Sequence, residues 1–330
     1  MKRAANVLSL EEAGEEFLEI PAWGLLARGP GDVDIYIRQG DRHVLFARSL
    51  ERFTSRHMRL LEDRGTSRAY IRRESLSACR RSLRRGLPSV LADEEVELST
   101  RAAIFHHHCL EIVTSLIKER LPQGLSNKHY GIFLDFVGKS LELVSDAAGL
   151  RRMAAVMSHD YDIYSHSLHA FVYACLIMKS LGMPAREITL AGAGALLHDA
   201  GKEAIDLAIL QKPGPLDAGE WRRVREHPEL GLALCRSLPL SRITADVIVM
   251  HHERMDGSGY PRGLMAGDIP PYVRALSLAD AYDALTSNRP YAPAVTPFEA
   301  LRIMRDEMRG AFDMDLYARF VLLLSGADIL

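Results

Sequence analysis

The hydrophobic period of this chain changes along its length. Residues 33–38, VDIYIR, alternate apolar and polar; QGD (39–41) is a turn, and HVLFAR (43–48) follows, which predicts a β-hairpin. Thr54 or Ser55 can cap a helix through Met58, Leu60 and Leu61 that stops by Gly65, and RAYIR (68–72) reads as a further strand. From Asp93 the period becomes helical. Asp93, Glu94 and Glu95 make an acidic start that suits the helix dipole. Cys109, Ile112, Val113, Leu116 and Ile117 then recur at three- and four-residue spacing. Pro122 and Gly124 break this helix, another begins near Ser126, and 151–330 is helical with loops at 213–215, 256–271 and 288–297. The pattern predicts a small α+β module over 1–92, a helical connector over 93–130 and an all-α domain over 131–330.

Composition narrows the class without naming it. A chain of 330 residues suits two domains, and 48% hydrophobic with 25% charged residues is ordinary for a globular protein. The net charge of −2 gives no general attraction to nucleic acid or to an anionic membrane. Cys79, Cys109, Cys175 and Cys235 are widely spaced in apolar or helical surroundings, so they read as reduced and buried. The N-terminal MKRAANVLSLEEAGEEF lacks the apolar run of a signal peptide, and ITLAGAGALL (188–197) is far shorter than the ~20 residues that span a bilayer. A cytoplasmic protein without a membrane span is expected.

The candidate chemistry centres on LLHDAGK (196–202). His198 and Asp199 end an apolar helical run; an imidazole and a carboxylate side by side can place one ligand on each of two metals, or let the carboxylate bridge them. Gly201 permits close backbone approach and Lys202 adds a positive charge. A lone His-Asp pair is weak, since a core histidine beside a helix cap gives the same text. Four further segments carry buried-looking ligands: His166 in HDYDIYSHSLHAF, His227 in EHPELG, His251 and His252 after ITADVIVM, and Asp280 in LSLADAYDAL. Imidazoles and carboxylates in separate apolar helices are costly without partners, and a shared cation explains them together. Two adjacent metals would suit phosphodiester chemistry.

HDAGK, HHERMDGSGYPRGL (251–264), ADAYDAL and NRPY (288–291) together resemble the HD-GYP family of the HD phosphohydrolase superfamily, over about 180–200 C-terminal residues. Flanking phrases match as well: LQKPGPLDAGEW, GDIPPYVRALSLAD and AFDMDLYARF. The resemblance implies a helical bundle of HD type with the metals in its interior, and His166, His198, Asp199, His227, His251, His252 and Asp280 as ligands of two or three ions, Fe or Mn. Members with a third metal carry an acidic residue four positions before the first histidine; here that is Asp162, one helical turn from His166, and a solvated residue is its other reading. Asp162-Ile163 stands where the family usually has Tyr-Thr, in keeping with that acidic variant. The implied activity is hydrolysis of cyclic di-GMP to pGpG and on to GMP by a metal-bridging hydroxide, with Asp199 and Lys202 as catalytic residues.

By the same resemblance Lys202 would stabilise phosphoryl charge, Gly259 and Tyr260 would contact the nucleotide, and Pro261 would fix their loop. Arg289 is a candidate phosphate contact, and Asp283, one turn after Asp280, could accept from a base edge or merely cap or face solvent. One departure touches the substrate: Ala292 follows RPY where the family often has a basic residue. A hybrid cyclic dinucleotide is therefore an alternative substrate. A non-catalytic nucleotide or partner sensor is the other reading, and its mark would be lost ligands. The first module loosely resembles small hairpin-and-helix domains that precede some HD-GYP domains, which implies a regulatory or dimerising role, a homodimer and a signalling protein partner. Consecutive helix residues point about 100° apart, so His106-His107-His108 cannot converge on one ion. The arginines Arg72, Arg73, Arg80, Arg81, Arg84 and Arg85 read as a solvated connector face.

Overall fold

The computed structural model describes residues 16–21, 33–49, 55–63, 66, 68–76, 78–79, 96, 101, 106, 109–110, 112–114, 116–117, 127–143, 163–288 and 293–325. Asp162, Arg289 and Ala292 lie outside the described residues, as do Asp93–Glu95, Pro122, Gly124, His107, His108 and the arginines at 80, 81, 84 and 85. The chain divides into two compact units, 1–111 and 112–330, a division that falls within the stretch read as a connector.

The first unit holds a four-stranded antiparallel sheet and one helix. Strands β1 (Phe17–Pro21), β2 (Ile35–Gln39), β3 (Arg42–Ala47) and β4 (Arg68–Arg72) run in the order β1-β4-β2-β3. The predicted hairpin is β2–β3, and Gly40 takes the positive φ that its turn needs. Helix α1 (Ser55–Glu62) buries Leu61, and Leu18, Ile20, Ile35, Ile37 and Ile71 are among the buried strand residues. Strand β1 is not legible in the sequence. FLEIP follows an acidic run, ends in proline and offers only Leu18 and Ile20 as inward apolar positions. Its strand state comes from pairing with β4, Phe17 opposite Arg72 and Pro21 opposite Arg68, with Glu19 bound to Arg68 at 3.0 Å. Arg72, from the basic stretch, pairs with Glu16 at 3.9 Å and Glu74 at 3.8 Å.

The second unit is helical: α2 (Asn127–Leu143), α3 (Ile163–Ser180), α4 (Ala185–Leu197), α5 (Leu207–Leu210), α6 (Ala218–Val224), α7 (His227–Leu234), α8 (Arg242–Met250), α9 (Pro271–Thr286), α10 (Pro297–Asp306) and α11 (Met314–Ser325). Residues 165–178 of α3 are buried on every side, the mark of a central helix. α3 packs on α4, α9 and α11, and α4 carries α2 and α8 on its other flanks. The small residues of α4 make that crowding possible. A Cβ on Gly192 would lie 2.6 Å from the Phe171 ring, and one on Gly194 would lie 2.7 Å from Val247. Close packing on both sides fixes the end of α4, where His198 and Asp199 begin. Among the described residues no helix is long and apolar enough to cross a membrane, and all four cysteines are buried.

Candidate metal centre

Three helices end at one place. His198 caps the C-terminus of α4, His251 caps that of α8, and His227 opens α7 just beyond the end of α6. The last carbonyls of a helix have no partner inside it. Each histidine satisfies one: Nδ1 of His198 donates to Ala195 O (2.7 Å), of His227 to Val224 O (2.7 Å) and of His251 to Ile248 O (2.8 Å). A carbonyl only accepts, so Nδ1 carries the proton and Nε2 is bare in all three rings. Helix C-termini also bring partial negative charge, which favours a cation.

The bare nitrogens converge. His227 Nε2 lies 3.1 Å from His251 Nε2. Two lone pairs facing each other repel unless a cation sits between them, and 3.1 Å is close to the spacing of two nitrogens sharing an ion at about 2.0–2.1 Å. Asp199 faces both ways: Oδ1 is 3.3 Å from His227 Nε2, while Oδ2 is 3.5 Å from His198 Nε2 and 3.7 Å from His166 Nε2. Asp280 does likewise, with Oδ1 2.9 Å from His166 Nε2 and Oδ2 3.5 Å from His252 Nδ1. His198 Nε2 and Asp199 Oδ1 are buried and make no hydrogen bond. Leaving such atoms unpaired costs about 1–3 kcal/mol each, and a divalent cation would remove that cost. The donors form two overlapping groups, Asp199, His227, His251 and His252 in one, His166, His198 and Asp199 in the other, each within 4.8 Å. Nitrogen and carboxylate donors in this mixture suit a divalent metal.

Burial holds the imidazoles neutral. It lowers the pKa of His198, His251 and His252, and takes His227 down to about 4 against the pull of Asp199. Burial works the other way on Asp199 and Asp280, but Lys202 and the histidines around Asp199, and the histidines around Asp280, outweigh it and hold both carboxyls well below their ordinary range. Neutral imidazole and ionised carboxylate are the metal-binding forms. Lys202 Nζ lies 2.5 Å from Asp199 Oδ2. Gly201 is what lets this turn meet α7: a Cβ there would lie 1.9 Å from His227 O and 2.5 Å from Gly231 N.

Asp283 corrects an expectation. It is 2% exposed, and its oxygens accept from His166 Nδ1 (2.7 Å) and His169 Nδ1 (2.8 Å), so it does not face solvent and its oxygens are held by imidazoles. Taking the Nδ1 proton of His166 turns the Nε2 of that ring toward Asp199 and Asp280, the usual task of a carboxylate behind a ligating histidine. The spacing of Asp280 and Asp283 showed a shared helix face but not that the face is covered by α3. His169 was missed, and its signal was the three-residue spacing from His166.

The GYP loop closes directly on the ligands. A Cβ on Gly259 would lie 2.4 Å from Arg254 N, so only glycine allows this approach. Tyr260 N donates to His252 O (3.3 Å), and its ring stacks on His252 with centroids 4.6 Å apart. The Tyr260–Pro261 bond is cis. Two residues unread in the sequence shape the loop. Glu253, buried, accepts from Arg262 N (2.7 Å) and Leu264 N (2.8 Å). Arg254 reaches Ser277 Oγ and lies over Phe312.

Residues 151–316 match the family described as HD domain. The cyclic di-GMP phosphodiesterase PA4108 of Pseudomonas aeruginosa is 33% identical over 236 residues, 70% of this chain and 55% of that one. The 3'3'-cGAMP-specific phosphodiesterase 3 of Vibrio cholerae is 37% identical over 153 residues, 46% of this chain and 33% of that one. The chain thus spans about half or less of the length of these relatives. Bd1817, an HDG"Y"P protein from Bdellovibrio bacteriovorus, superposes with a TM-score of 0.68 at 20% identity, covering 94% of this chain and all of that one, a likeness of fold.

Proposed function

Because this chain belongs to the HD domain family, in its HD-GYP branch, we propose that it is a metal-dependent phosphodiesterase that hydrolyses cyclic di-GMP to pGpG. The observation that carries the reading is Asp199, which presents one oxygen to each of two donor groups. That arrangement fits two divalent ions, Fe or Mn, with Asp162 the candidate ligand for a third. Such ions would polarise the phosphate oxygens and make an activated water available. The chain's own residues do the rest. Lys202, already against Asp199, offers a positive charge to phosphoryl oxygens as they gain charge. Tyr260, whose hydroxyl makes no hydrogen bond among the described residues, offers a donor beside the centre, and Gly259 lets the loop pack directly on the backbone of 252–254, where both residues would meet the nucleotide. Arg289 is the proposed phosphate contact from the following loop.

Incubating Mn- or Fe-loaded protein with cyclic di-GMP and separating the products by ion exchange tests this. Accumulation of pGpG is expected; no turnover by protein with measured bound metal contradicts the activity. A second reading, cleavage of 3'3'-cGAMP, is favoured by relatives named for that specificity. Competition between the two dinucleotides in one reaction ranks their kcat/KM directly. A degenerate sensor would have lost ligands, and every described ligand is present. The first unit is read as a regulatory or dimerising module that also offers a surface to a signalling partner, in a cytoplasmic setting. A full-length chain that sediments as a monomer contradicts the dimer.

A further inference from the structure

Arg225 lies beside the candidate metal centre, and no described residue takes up its donors. It follows buried Val224 at the end of α6 and stands two residues before His227. The arginines before it serve structural ends: Arg222 donates to Ala218 O (3.3 Å) and Arg223 pairs with Glu226. The guanidinium of Arg225 makes no hydrogen bond and no ion pair among the described residues. It lies over the Tyr260 ring, Cζ 4.6 Å from the centroid. The same ring stacks on His252 and meets His227 edge-on at 6.3 Å. A half-buried guanidinium is therefore held against the GYP loop, one side chain removed from the ligand imidazoles.

A guanidinium so placed calls for an acceptor. The buried carboxylates nearby face other groups: Asp199 faces Lys202 and the imidazoles, Asp280 faces His166 and His252, Asp283 accepts from His166 and His169, and Glu253 accepts from Arg262 N and Leu264 N. Among the described residues no acceptor meets it, and the planar fork matches the phosphate oxygens of a ligand. Since the contact is with Tyr260 and not with the imidazoles, the anion lies to one side of the phosphate that the metal ligands surround. We propose that Arg225 binds the second, uncleaved phosphate of a cyclic dinucleotide. This rests on the phosphodiesterase reading and adds a residue that selects two-phosphate substrates over simple diesters.

The test compares Mn-loaded wild type, Arg225→Met and Arg225→Lys on cyclic di-GMP and on bis(4-nitrophenyl) phosphate, which has one phosphate only. A charge-assisted contact predicts that Arg225→Met loses about 10- to 100-fold in kcat/KM on cyclic di-GMP. Most of the loss should appear as a raised KM, and it should exceed the loss on the small diester at least about tenfold. Arg225→Lys should recover part of it, as a point charge without the fork. Equal losses on both substrates would assign Arg225 a merely structural part under Tyr260 and overturn the proposal, as would no loss on the dinucleotide. Wild type that cleaves the small diester but not cyclic di-GMP contradicts the functional reading instead, and does so before any variant is compared.

Discussion

At the scale of single residues, the centre depends on which imidazole nitrogen holds the proton. Ala195, Val224 and Ile248 settle that for His198, His227 and His251 through helix-end carbonyls, a device that needs no added side chain. His166 sits inside a helix whose carbonyls are already used, so it relies on a carboxylate, Asp283. Replacing Asp283 with Asn keeps the shape but leaves one acceptor oxygen for two imidazole donors. Asp283→Asn is expected to weaken metal binding about 10- to 100-fold with its circular dichroism unchanged. Metal content after dialysis against a graded chelator measures this, and wild-type retention of every ion would refute the positioning role. The candidate ligands could be named from the sequence because the His-Asp and His-His pairs ended apolar runs and the remaining positions followed from the family resemblance. The role of Asp283 was not, because spacing along one helix says nothing of the helix packed over it.

Elements matter here through their ends. The ends of α4 and α8 and the start of α7 deliver His198, His251 and His227 only because the backbones around them touch, and glycines permit that contact. Gly201→Ala places a methyl group inside the peptide of His227, so the 200–204 turn must part from α7 and Asp199 from its partners. A loss of about 1–3 kcal/mol of stability together with loss of bound metal is expected. Gly267→Ala, where a Cβ meets nothing within 4 Å, should leave both nearly unchanged and serves as the comparison. Thermal unfolding and metal analysis of the two variants read the difference; equal behaviour would contradict the close-approach account. The hairpin β2–β3, helix α1 and the helical character of the second unit were readable from period and breakers, while the division of that unit into separate helices was not. Strand β1 was not, because two inward apolar residues form no pattern until β4 lies beside them.

Across the molecule, the second unit gathers candidate ligands from five helices and one turn, spread from residue 166 to residue 280. Sequence shows the set but not its division, and the division is the informative part, since Asp199 and Asp280 each turn one oxygen to either side. Arg225 is likewise silent in the sequence, one arginine among several in WRRVREH. The claim underlying every functional statement is that these bare nitrogens and ionised oxygens hold cations. Crystals of Mn- or Fe-loaded protein, measured on either side of the metal's absorption edge, test it most directly. The account predicts at least two anomalous peaks, one among His227, His251 and His252, one between His166 and His198, with Asp199 reaching both. Absence of peaks, with His227 and His251 still facing each other in metal-soaked crystals, would contradict it.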